Sequence, residues 1–242
     1  MNHRNACRGF TLIELMIVIA IIAVIAAIAI PGLMSSQRAA NERNASASLK
    51  TVTAAEIDFR SNDRDGNKIQ DFWTRDLSGL YTLCPIGADQ PLRLIDLSLA
   101  GADSNPLGTA PAPIASDQVT NLFFTVQSPK AGYWCLGFEL DDEGTPYATA
   151  TYGLAPFTDQ LWFHRTKFAF MAYPDNFSSG RSVFVVNEAN TVFRRGTNGT
   201  IRPPGGLIPP GTALVASYVI GTAPVLEWPT DTVLKLTFSK LD

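Results

Sequence analysis

Three hydrophobic regimes follow one another along the chain. From Leu12 to Ile30 every side chain is Leu, Ile, Val, Ala or Met, except Glu14. As a helix rising about 1.5 Å per residue, such a run spans the roughly 30 Å hydrocarbon layer of a bilayer. Residues 10–30 are therefore predicted to cross a membrane. From 31 to 60 the apolar positions narrow to a stripe, Leu49, Val52, Ala55 and Phe59, whose spacing of three, three and four marks a helix lying along a core. After about residue 120 the pattern changes to short β-branched and aromatic runs: NLFFTVQS, GYWCLGFEL, PYATATYG, KFAFMAYP, SVFVVNE, NTVFRR, ALVASYVI and VLKLTF. Gly, Pro, Asn and Asp punctuate them, as expected of antiparallel strands. Phe184–Val186 and Thr191–Arg194 read as the two arms of a hairpin.

Between these regimes the chain has its own punctuation. Pro31 and Gly32 are expected to kink or loosen the helix, because proline removes a donor and crowds the preceding turn. No further breaker occurs before Ser61, so one helix about 75 Å long is predicted over 10–60. Its stretch from Ala39 to Ala47 is polar and small, suited to a stalk or to packing by neighbours. FWTRDLSGLYTLC suggests a short helical turn, LRLIDLSLAG fits helix or strand, and GADSNPLGTAPAPIASD reads as an extended loop. The predicted fold class is α+β: a long N-terminal helix packed on one antiparallel β-sheet head over 61–242. No repeat of fixed period is present.

Charge and composition narrow the function classes. The formal charge of the 242 residues is −3. Without Arg4 and Arg8 there remain 17 basic against 22 acidic side chains, a balance of −5, which argues against nucleic acid as a partner. Those two arginines before the span, with no balancing cluster just after it, keep the N-terminus cytoplasmic and the head outside.

Two of the three cysteines, Cys84 and Cys135, lie in the head. There they invite a disulfide closing a loop of about fifty residues, worth roughly 2 to 4 kcal/mol if unstrained. Two separate buried thiols are the alternative. Asp63, Asp65, Asn67 and Asp71 alternate oxygen ligands around Gly66, loosely as in a calcium loop, although Phe72 stands where the closing glutamate belongs. A plain turn after a long helix uses the same residues. No other cofactor is expected.

Catalysis finds no assembled groups. His164 is the one histidine beyond the first nine residues and sits beside Trp162 and Phe163, where a hydrogen-bonded structural role is expected. No nucleophile elbow, zinc motif or phosphate loop occurs, so no catalytic residue is nominated. Asp141-Asp142-Glu143-Gly144 reads as a solvated hairpin turn. Asn44, Asn176 and Asn198 begin N-x-Ser/Thr triplets, which are common by chance.

The order of features at the N-terminus is not that of a secretory signal. A basic segment, MNHRNACRG, ends in glycine directly before the apolar run, and no small-residue cleavage site follows that run. Gly9 to Met16, GFTLIELM, together with Pro31, closely resembles the class III signal of type IV pilins and type II secretion pseudopilins. The motif is specific, and the resemblance covers about the first fifty residues. It implies a leader over 1–9 cut by a prepilin peptidase between Gly9 and Phe10, and methylation of Phe10 as the new N-terminus. It further implies that Glu14 of one subunit neutralises the Phe10 amine of another during filament assembly.

Partners implied by the resemblance are the peptidase, copies of the chain or related pilins, and an inner-membrane platform with a cytoplasmic ATPase. Membrane lipid surrounds the helix before assembly. A type IV pilus subunit and a secretion pseudopilin both fit. A head of about 180 residues leans toward a minor tip component or an adhesive pilin. The rival from another class is a membrane-tethered extracytoplasmic binding module, which leaves the Gly9-Phe10 junction and Glu14 without a reason.

Overall fold

The computed structural model describes residues 10–66, 70–74, 76–85, 88, 90–104, 119–121, 127–137, 163–164, 167–176, 178–196 and 239–241. Its dominant element is α1, Leu12–Ser61, a helix of 50 residues. Thr11 caps it, and Asn62 ends it with a backbone N–H donated to Arg60 and Asp58 carbonyls. Pro31 and Gly32 lie inside α1, which stays helical through both. One lost backbone donor is tolerated within a helix this long.

Exposure divides α1 in two. From Phe10 to Asn44 only Ala26, Arg38, Asn41 and Glu42 are even half-buried. Beyond Asn44 the predicted stripe is buried: Leu49 and Val52 fully, Phe59 at 1% exposure and Ala55 at 5%. Glu56, on the same face and one turn past Val52, is also fully buried. The polar stretch from Ala39 to Ala47 is no bare stalk, since Ala45 and Ser46 are buried and Asn41 already bonds to the head.

The head lies along the second half of α1. Its main sheet has five antiparallel strands in the order β4-β6-β7-β8-β9: Tyr133–Gly137, Ala169–Pro174, Ser182–Asn187, Val192–Gly196 and Ser239–Lys240. Every residue of β6 and β7 is buried, which identifies them as central strands covered on both faces. The predicted hairpin is β7-β8, with Val186 opposite Val192 and Asn190 at positive φ in its turn. Among the described residues the head also has two small ladders, β1 (Phe72–Trp73) with β5 (Phe163–His164) and β2 (Leu83–Pro85) with β3 (Val119–Asn121). The helical turns α2 (Gly79–Thr82) and α3 (Leu97–Ala100) lie between them along the chain, so of LRLIDLSLAG the LSLA segment is helical. The runs PYATATYG, ALVASYVI and VLKLTF lie outside the described residues.

Aromatic contacts join the elements. The Phe72 ring lies 4.8 Å from that of Phe168, which lies 6.1 Å from Phe170. Beneath α1, Trp73 Nε1 donates to Asp76 O (2.8 Å) and Oδ1 (3.0 Å), while Asp76 also accepts from the Gly79 amide and the Ser78 hydroxyl. Asp103 accepts from the Ser78 amide at 2.7 Å. These buried carboxylates are stabilised by donors, as burial requires.

Cys84 and Cys135 are separate buried thiols, so the disulfide expected between them is not formed. They belong to different sheets: Cys84 pairs with Thr120, Cys135 with Ala172. The Cys84 thiol donates locally, toward the carbonyls of Ala88 (3.2 Å) and Gln90 (3.4 Å). Burial pushes the Cys135 thiol up to about 12, with the nearby Asp103 charge adding to the effect.

Candidate functional site

The site begins at the tip of α1. Thr11 and Glu14 form a reciprocal capping box: the Thr11 hydroxyl accepts from the Glu14 amide at 3.3 Å, while Glu14 Oε2 accepts from the Thr11 amide at 2.8 Å and hydroxyl at 2.6 Å. The Thr11-x-x-Glu14 spacing is itself the sequence signature of this cap, a signal separate from the one that singled out Glu14. Phe10 stands just outside the helix at 81% exposure. Gly9 lies outside the described residues.

Nothing among the described residues covers the apolar stem. Leu12 and Ile28 are each 77% exposed, and Gly32 has no atom within 4 Å of where a Cβ would sit. None of the most apolar 18-residue window of α1 is buried. Large aliphatic side chains bared over more than five turns need lipid or other helices around them. The Thr11–Glu14 cap is thus the polar end of an otherwise apolar surface.

A second group of contacts holds the head to the stem. Glu42 on α1 accepts from the Arg181 amide through Oε1 and from Arg194 Nη2 through Oε2, both at 3.0 Å. One residue earlier, Asn41 Nδ2 donates to the Ser179 carbonyl at 3.0 Å. Arg194 is oriented in turn by Nε donating to the Ser182 hydroxyl at 2.9 Å. This clamp was not legible in the sequence, because it joins residues about 140 to 150 positions apart.

At the other end of α1, Asp65 and Asp71 are buried and Asp63 is half-buried with φ 47°. Asn67 lies outside the described residues. Among the described residues no three His, Cys, Asp or Glu side chains gather as a metal site would need. Glu56 instead faces Asp71: its Oε2 accepts from the Trp73 amide at 3.0 Å, and its Oε1 has no hydrogen-bond partner. Burial raises the Glu56 carboxyl well above its ordinary value, the Trp73 amide opposes this, and the Asp71 charge adds to it. Of His164 only the backbone is described, paired with Phe72.

Comparison with known proteins bears on the tip. Residues 4–30 match the family model of the prokaryotic N-terminal methylation motif. The N-terminal segment is therefore similar to prepilin-type methylation segments. The type IV major pilin protein PilA of Myxococcus xanthus (strain DK1622) is 50% identical over 60 residues. Those residues are 25% of this chain and 26% of that protein, so the likeness spans about a quarter of each. No solved structure matches. The matched residues 4–30 thus contain the Thr11–Glu14 cap and most of the bare apolar stem.

Proposed function

We propose that this chain is a structural subunit of a type IV pilus-like or secretion-pseudopilus filament. In this reading a prepilin peptidase hydrolyses the Gly9-Phe10 bond and methylates the new amine. The subunit waits in the cytoplasmic membrane with its N-terminus inside and its head outside. It then moves, through a membrane platform driven by a cytoplasmic ATPase, into a filament of itself and related pilins. The observation that carries the reading is a single carboxylate at the tip of a bare apolar helix, inside a segment matched as a methylation motif.

The chemistry is a matter of charge in a dry place. An unpaired carboxylate within an apolar run costs about 2.5 to 3.5 kcal/mol on insertion scales. Thr11 occupies Oε2 of Glu14 and leaves Oε1 for a cation, which the Phe10 amine of a neighbouring subunit would supply. Pairing then selects the axial register at which helices meet. The large head favours a minor tip component or an adhesive pilin over the repeating subunit of a short pseudopilus.

Intact mass and N-terminal sequencing of the protein from its own membranes test the reading. A chain beginning at methylated Phe10 is expected. A chain still bearing Met1, or one cut after the apolar run, would overturn it in favour of a tethered module.

A further inference from the structure

The contacts of Asn41 and Glu42 define a base of the head, the end facing the apolar stem. On a chain of net negative charge this end is rich in arginine. Arg38 and Arg43 lie on α1 to either side of the clamp, Arg181 precedes β7, and Arg194 and Arg195 end β8. The pairing of Ser182 with Gly196 and of Val183 with Arg195 brings these strand ends together beside Glu42. Arg43, Arg181 and Arg194 are exposed, Arg38 and Arg195 half-buried. At this end Glu42 faces Arg194, and Asp175 accepts from Trp134 Nε1 at 2.9 Å. On the flank at β4, Lys130 and Asp96 neutralise each other at 3.0 Å.

Geometry fixes where this collar stands. If the span ends at Ile30, helical rise lifts Arg38 about 12 Å and Arg43 about 20 Å beyond the hydrocarbon edge. Headgroups occupy roughly the first 5 to 7 Å of that distance. The remainder is comparable to the screening length of about 8 to 10 Å at ordinary ionic strength. Membrane helices tilt by about 20° on average, which lowers one side of a head mounted beside the helix. Only the side bearing Arg181, Arg194 and Arg195 has a head to lower.

We propose that this arginine collar docks on anionic phospholipid headgroups of the leaflet from which α1 emerges, holding the unassembled subunit tilted with its base against the bilayer. The inference rests on the membrane-anchored reading above and adds a lipid partner to it. Guanidinium groups suit phosphodiesters because each presents a planar fork of donors. Entry into a filament would then require the collar to be released from lipid.

The test uses the full-length chain in nanodiscs of phosphatidylcholine alone and of phosphatidylcholine with about a third phosphatidylglycerol. A fluorophore sits at Ser178→Cys, beside the base, or at Ala189→Cys, in the far β7-β8 turn. Cys7 is replaced by Ser, and an acceptor is carried on the lipid headgroups. At low salt, anionic lipid is expected to raise energy transfer from position 178 at least about twofold and to leave position 189 little changed, and high salt is expected to remove the gain. Arg38→Ser with Arg43→Ser and Arg181→Ser, which spares the Glu42–Arg194 pair, is expected to abolish the gain while the chain still inserts. Insertion into both discs with equal transfer, or a gain that survives the triple variant, overturns the collar alone. Failure to insert in either disc overturns the anchored reading and the collar with it.

Discussion

Glu42 of the helix and Arg194 of β8 meet at 3.0 Å, and the same carboxylate holds the Arg181 amide. One helical side chain therefore fixes two strand ends. Arg194 is 45% exposed, so the ion pair itself contributes little, whereas the bond to a backbone amide is less screened. Glu42→Ala is expected to destabilise the head by about 1 to 2 kcal/mol. Arg194→Ala should cost less than about 1 kcal/mol. Urea unfolding of the full-length chain in detergent measures both, and the order of the two losses is the point of the comparison.

Glu56 gives a pH dependence whose sign follows from its environment. Its folded carboxyl titrates well above the ordinary value of 4.5 because it is buried beside Asp71. The folded state thus binds more protons than the unfolded one above that value, and stability falls as pH rises from about 4.5 toward the folded pKa. Glu56→Gln keeps an acceptor for the Trp73 amide and carries no charge. The difference in unfolding free energy, variant minus wild type, is expected to grow from pH 4.5 to pH 8; a flat difference would show that Glu56 titrates normally.

Gly180 leaves room for a ring. A Cβ there would stand 2.0 Å from the Tyr133 hydroxyl, which donates to the Ser182 carbonyl at 3.0 Å. Gly180→Ala must displace a buried tyrosine, at a cost of about 1 to 3 kcal/mol. Lowered thermal stability, partly restored by Tyr133→Phe, is the expected outcome.

The two head cysteines should behave as inaccessible thiols. Native protein is expected to resist maleimide at both Cys84 and Cys135, and denatured, unreduced protein to take up one label at each. Labelling only after reduction would mean that the two are joined.

At the tip, Glu14→Ala is expected to insert in the membrane and fail to assemble. Thr11→Val removes one partner of the cap, worth about 1 kcal/mol, and leaves the carboxylate in place. It should reduce filament yield without abolishing it. Filament counts by electron microscopy, with membrane levels held equal, separate the two variants.

The helix and its buried face were legible because their periodicity is local: Leu49, Val52, Ala55 and Phe59 repeat as a helix must. The hairpin from Phe184 to Arg194 was legible for the same reason, two apolar runs around a turn. Glu56 sits on the predicted stripe, yet an apolar count passes over it, since nothing local says that the Trp73 amide waits opposite. The clamp at Glu42 and the separation of Cys84 from Cys135 depend on how distant strands are ordered. Cysteine number and compartment set only the opportunity for a bond, whereas the β2-β3 and β4-β6 pairings set the geometry. Thr11 was within reach of a local rule, because its spacing to Glu14 is that of a cap.

Under the filament reading proposed above, the bare length of α1 has a consequence for how the chain changes surroundings. Among the described residues, the stem from Phe10 to Gln37 is exposed almost throughout, and contact with the head starts at Arg38 and Asn41. Exchanging lipid for protein around that stem breaks no bond within the head. The molecule can be drawn from one solvent into another as a finished piece, with its shape settled beforehand and only its lateral company replaced.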